Sequence, residues 1–180
     1  VRLPILTVLW LGASGILLWH YLGTRSEVSL TVLQLAVAAV IAKLFAWDLR
    51  SWGVTQSLYY QGDFSFRDAA MRLIDFGATI GFLGGAYLLF AGRNSAKQVR
   101  QFLGGTALMT LFVYLTLEVN SYLRAFFPGL QSGGVSILWA VFALALIVRG
   151  IVQRSTVLRF TGLGLFAIVS GKVFFVDLAR

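Results

Sequence analysis

Six apolar runs constrain this chain more than any other feature. They lie at roughly 3–22, 28–49, 69–92, 99–123, 134–152 and 156–178. A helix needs about 20 apolar residues to cross a bilayer, and all six runs are near that length. None shows the period-two alternation of a barrel strand, and hydrocarbon offers backbone polar groups no partner outside a helix or a closed barrel. The runs therefore read as membrane-spanning helices. Composition agrees: 58% of residues are hydrophobic and 12% charged, against about 45–50% and about 25% in a soluble domain. The expected fold class is all-α, a polytopic transmembrane helix bundle. Its six spans form three hairpins, and residues 1–180 make a single bundle.

Two stretches interrupt the apolar runs in the same way. Residues 42–49 read AKLFAWDL and residues 171–178 read GKVFFVDL. Each closes a span with a lysine and an aspartate five positions apart, Lys43 with Asp48 and Lys172 with Asp177. Ionisable groups are costly at membrane depth, so both pairs are expected to face protein or water. Five residues of α-helix turn through about 500°, a net 140°, so the two members of a pair do not share a face well. Each is expected to find partners on neighbouring helices, with Asp75 and Glu118 the carboxylates at similar depth. The candidate polar cluster is Lys43, Asp48, Asp75, Glu118, Asn120, Lys172 and Asp177. It reads either as fixed ion pairs that hold the bundle in register or as a pocket that binds a charged group or relays protons. Both lysines lie about two turns from a helix end and can also snorkel outward.

The two stretches belong to a longer repeat. At the same offset of 129 positions, Trp10 matches Trp139, Arg25-Ser26 matches Arg154-Ser155, Phe45 matches Phe174, and Asp48-Leu49 matches Asp177-Leu178. The first and third hairpins, 3–51 and 132–180, read as one unit used twice, with 68–124 as the middle hairpin. Both copies begin on the same side, which makes the internal repeat a parallel one with any pseudo-axis along the membrane normal.

Charge gives orientation. The net charge is +8, but the basic residues sit in short loops between apolar runs, so no nucleic acid is expected as a partner. Arg25, Arg93, Lys97, Arg100, Arg149, Arg154 and Arg159 fall on one side with a single acid, Glu27. That side is placed in the cytoplasm, which puts both termini of this segment outside a bacterial inner (cytoplasmic) membrane. The chain opens on a valine inside an apolar run, without a leader, and reads as part of something longer or as a processed product. There is no cysteine and only one histidine, His20. Metal sites and cofactors are therefore not expected, and His20 reads as a solvated residue at the end of span 1.

The remaining features read as packing. Gly77, Gly81 and Gly85 are spaced by four on span 3, so they let another helix approach closely, within the chain or between chains. Gly162, Gly164 and Gly171 read the same way in span 6. Span 4 carries Thr106, Thr110, Tyr114 and Glu118 in steps of four, followed by Asn120. The aromatic-rich connection 50–67 reads as a belt at the outer interface, with a lid or docking surface as the alternative. No hydrolase, metalloprotease or phosphate-loop motif is present.

The run 136–178, SILWAVFALALIVRGIVQRSTVLRFTGLGLFAIVSGKVFFVDL, preceded by LTLEVNSYLR at 115–124, resembles the end of a bacterial family of large polytopic membrane proteins catalogued as a domain of unknown function. Its members repeat hairpins closing in Lys-x-Phe-x-x-Asp-Leu, which Lys172, Phe174, Asp177 and Leu178 fit, as do Lys43, Phe45, Asp48 and Leu49. The resemblance implies a longer protein with more spans. It implies no activity, substrate or cofactor.

The expected function is a structural or accessory subunit of a bacterial envelope complex, with membrane lipids and other membrane or envelope proteins as partners. The alternative is a transporter or channel-like protein that binds an ion, proton or lipid head group at the outward-facing cluster. A third class, an envelope enzyme acting on a lipid-linked substrate, would use Asp75 or Glu118 as acid or base, but no motif supports it, and no residue is assigned as catalytic.

Overall fold

The computed structural model describes residues 2–54, 58–91 and 97–177, and of residues 2–4, 176 and 177 the backbone alone. The regular elements among them are all helical. They are α1 (Arg2–Thr24), α2 (Glu27–Lys43), a π turn at Leu44–Asp48, the short α3 (Leu49–Ser51), α4 (Phe66–Leu89), α5 (Lys97–Phe126), α6 (Gln131–Val152), α7 (Thr156–Lys172) and a second π turn at Val173–Asp177. Six stretches are long and apolar enough to cross a membrane: Ile5–Thr24, Glu27–Ser51, Phe66–Leu89, Lys97–Phe126, Gln131–Val152 and Thr156–Phe175. Their bounds differ from the apolar runs because capping positions such as Ser65 and Leu130 lie beyond the apolar residues. Large side chains such as Trp19, Val28, Phe160 and Phe175 stay exposed, as outer faces that meet lipid do.

Two turns share one device. Arg25 and Arg154 have positive φ, 54° and 51°, and the serine after each is extended and begins the next helix. A left-handed residue ends a helix by turning N–H groups back onto its last carbonyls. Here Arg25 N–H reaches the Tyr21 carbonyl at 2.8 Å, and Ser155 N–H reaches that of Gly150 at 2.8 Å. Glycine is the usual residue for this. An arginine instead sets a cation at the negative end of the helix dipole.

The chain divides into two compact units, residues 1–114 and 115–180, so α5 contributes to both. In the first unit α1 packs on α2 and α4. The buried stripe of α1 is Thr7, Leu11, Ser14, Leu18 and Tyr21, the three-and-four spacing of one helix face. On α4 it is Arg72, Asp75, Phe76, Thr79, Leu83 and Ala86. The stripes are apolar at one end, where Leu18, Tyr21, Leu33, Val37, Leu83, Ala86 and Phe90 join Val99 and Leu103 of α5 in a core. At the other end they are polar. From Thr7 to Leu18 is about 16 Å of helix, so core and polar group occupy separate depths of the unit.

In the second unit α6 runs along α7. Their approach is close at Gly162, where a Cβ would lie 2.7 Å from Ile147 Cγ1 and 2.9 Å from the Ala143 carbonyl oxygen. Trp139 Nε1 of α6 donates to Thr116 Oγ1 of α5 at 3.0 Å.

Candidate functional site

Lys43 stands where α2 leaves α geometry. Across the π turn, Leu49 N–H donates to the carbonyl of Leu44, five residues back. Such bonds bring side chains five apart towards one face, and Lys43 Nζ meets Asp48 Oδ2 at 2.6 Å. This corrects the expectation that a lysine and aspartate at this spacing do not share a face. The α-helical 100° per residue does not hold through a wider turn. Lys43 Nζ also donates to Thr7 Oγ1 of α1 at 2.7 Å, so the neighbouring helix supplies a hydroxyl to the lysine. The Asp48 side chain is 0% exposed, while that of Lys43 keeps 16%.

Asp75 enters the same group from α4. It too is 0% exposed. Thr7, Asp48 and Lys43 are the polar groups around its carboxyl, and the Asp48 carboxyl stands within hydrogen-bonding reach. Among the described residues, Asp48 Oδ1 and the two Asp75 oxygens make no hydrogen bond of ordinary geometry, although the Thr7 hydroxyl also stands within reach of the Asp75 carboxyl. Thr79 Oγ1 donates to the Asp75 backbone carbonyl at 2.9 Å, not to its side chain.

The loop after α3 folds back over this end of α4. Arg72 is buried, and its guanidinium lies 4.0 Å from the centroid of the Tyr60 ring. Trp52 stands against Tyr60 and Phe76 with centroids 6.3 and 6.0 Å away. Phe76 stands 5.1 Å from Tyr114. Two aromatics expected in an interfacial belt therefore turn inward, because a buried guanidinium gains from a ring face. Leu58 and Phe66 of the same stretch remain outward. Residues 55–57 lie outside those described.

In the second unit Lys172 ends α7, just before the second π turn. Its Nζ donates to Ser136 Oγ at 2.6 Å, to the Ser132 carbonyl at 3.1 Å and to Ser132 Oγ at 3.4 Å. The Asp177 side chain lies outside the described residues. Glu118 and Asn120 are half-buried on the α5 stretch of this unit, and both are engaged by neighbours. Lys43, Asp48 and Asp75 thus meet in the first unit, while Glu118, Asn120 and Lys172 belong to the second.

Four participants escaped the sequence reading: Thr7, Arg72, Ser132 and Ser136. A signal existed for two of them. Thr7 and Ser136 are also 129 positions apart, but they match as hydroxyls rather than as letters. Arg72 stands near the start of its span, where a basic residue reads as an orienting charge.

The glycines divide. Gly77, Gly81 and Gly85 are exposed. Nothing lies within 4 Å of a Cβ built at Gly81 or Gly85, and at Gly77 only Leu73 of the same helix comes to 4.0 Å. Among the described residues the stripe makes no helix contact, and neither do Gly164 and Gly171; Gly162 does. His20 is exposed yet not merely solvated, since its Nδ1 lies 2.9 Å from Ser29 Oγ and bridges α1 to α2.

Acids, an ammonium and hydroxyls make up this group, without an imidazole. Among the described residues no three metal-ligating side chains cluster. What the group can do is hold charge and hydrogens at membrane depth. A family model described as "predicted membrane protein (DUF2339)" matches residues 71–180, a stretch that includes Asp75, Glu118 and Lys172. No curated protein and no solved structure matches the chain.

Proposed function

The chain belongs to this family of membrane proteins of unknown function, and on that premise we propose that it is a structural or accessory subunit of a bacterial envelope complex. Its first and last hairpins are one unit used twice, each clasped by a lysine. The observation that carries this reading is a repeated bond. Lys43 Nζ reaches Thr7 at 2.7 Å and Lys172 Nζ reaches Ser136 at 2.6 Å, each across 36 residues. A π turn follows both lysines, and a left-handed arginine reverses both hairpins. Four equivalences at one offset support duplication more strongly than matched apolar letters do. The short Arg25 and Arg154 turns support a cytoplasmic side for those ends, with both termini of this segment extracytoplasmic.

A clasp that serves packing is felt in folding. Asp177→Asn lowers expression and thermal stability on this reading. The scaffold reading fails if that variant folds as the parent does while a cellular phenotype disappears. A second reading is a transporter or channel-like protein that handles an ion, proton or lipid head group. One observation favours it: the fully buried Asp75 carboxyl has no cation bonded to it among the described residues.

A further inference from the structure

Charge balance in the first unit points to a ligand of the smallest kind. Asp48 and Asp75 are both fully buried, and their carboxyls stand within hydrogen-bonding reach of one another. One ammonium, Lys43, bonds Asp48 Oδ2 at 2.6 Å. Asp48 Oδ1 meets no donor among the described residues, and the only hydroxyl within reach of the Asp75 carboxyl there is that of Thr7, whose bond falls short of ordinary geometry. Two ionised carboxylates side by side, out of water, repel one another and leave acceptors unmet. A single hydrogen between them supplies the missing donor and removes one negative charge. We propose that Asp48 and Asp75 hold one proton between them, as Asp75–OH···⁻O–Asp48, making the group a proton-binding site at membrane depth.

Every element packed here is compatible with that arrangement. From α1 comes Thr7, whose hydroxyl oxygen accepts from the Lys43 ammonium and whose O–H is left to face the Asp75 carboxyl, one donor for two acids. From α4 comes Arg72, whose guanidinium lies over the Tyr60 ring. Tyr114 of α5 lays its ring against Phe76. The group then holds one ammonium, one carboxylate and one neutral acid. The O–H bond on Asp75 stays intact, and its hydrogen is shared with Asp48 Oδ1. The site goes beyond the scaffold reading and stands or falls separately from it.

Infrared spectroscopy of the protein in lipid at neutral pH tests the proposal. A carboxylic-acid carbonyl band that shifts in heavy water is expected, and Asp75→Asn removes it. That variant keeps the parent's melting temperature, because an asparagine amide donates to Asp48 as the acid does, whereas Asp75→Ala melts several degrees lower. Should Asp75→Asn fail to fold, carboxyl-labelled aspartate in the unaltered protein gives the answer by solid-state magnetic resonance. One signal in the protonated range is expected. Its absence, or the absence of the infrared band, overturns the proposal. So does a melting temperature that rises with sodium chloride but not with choline chloride, which assigns the oxygens to a metal cation.

Discussion

The α1–α2 and α6–α7 hairpins hold their terminal lysines in one way and surround them in two. Each ammonium reaches back to a hydroxyl near the start of the preceding helix, Thr7 or Ser136. Around Lys43 the other described partner is a carboxylate, with a second acid arriving from α4. Around Lys172 the described partners are two serine hydroxyls and a carbonyl. The hydroxyl clasp is common to both hairpins, and in the first unit Asp75 joins it. Spacing differs too. Leu33 and Gly162 are 129 positions apart. Leu33 fills a core shared with α1, α4 and α5, while Gly162 lets α7 press against α6. The first hairpin is built to receive other helices, and the last to close on itself.

The largest effect separates the two clasps. Asp48→Ala takes the ion-pair partner from the largely buried Lys43 and leaves it Thr7, and is expected to lower stability by about 3 kcal/mol, read as a melting shift in detergent. Adding Lys43→Met removes the second charge and restores most of that loss. Lys172→Met, which frees the oxygens of Ser132 and Ser136, is expected to cost about 1.5–3 kcal/mol. Equal losses in Asp48→Ala and Lys172→Met would erase the distinction.

A smaller effect sharpens it. Ser136→Ala removes a bond from Lys172 to a neutral oxygen, expected to cost about 1.5–3 kcal/mol. Thr7→Val is expected to cost less by the same melting assay, because Asp48 still holds Lys43. A greater loss at Thr7 would make its hydroxyl, and not the carboxylate, the main partner.

The smallest concerns glycine. Gly162→Ala forces atoms into the α6 contact and is expected to cost about 1–3 kcal/mol. Gly81→Ala, with nothing within 4 Å, should stay within about 0.5 kcal/mol of the parent. Destabilisation at Gly81 equal to that at Gly162 would reveal a neighbour on α4 beyond the contacts described.

Spans were legible because lipid leaves little choice: twenty apolar residues must be a helix, and the runs lay within a few residues of the helices found. Lys43 and Asp48 were legible as buried charges but not as partners. A π turn is a backbone irregularity, and residue spacing converts to angle only where the helix is regular. Thr7 and Ser136 were hidden because a hydroxyl is unremarkable until a lysine is seen to reach it. Asp75 was legible as a charge within an apolar run. Arg72 was not, because its burial depends on Tyr60 returning from a loop.

Arg25 and Arg154 each occupy a backbone conformation that disfavours side chains, by about 1–2 kcal/mol relative to a right-handed one. Glycine would relax both turns and strip them of charge. On the proposed topology, chain reversal and the positive mark that tells one membrane face from the other are written in a single codon at each site. A substitution that eases the bend also blurs the signal for which way round the hairpin inserts.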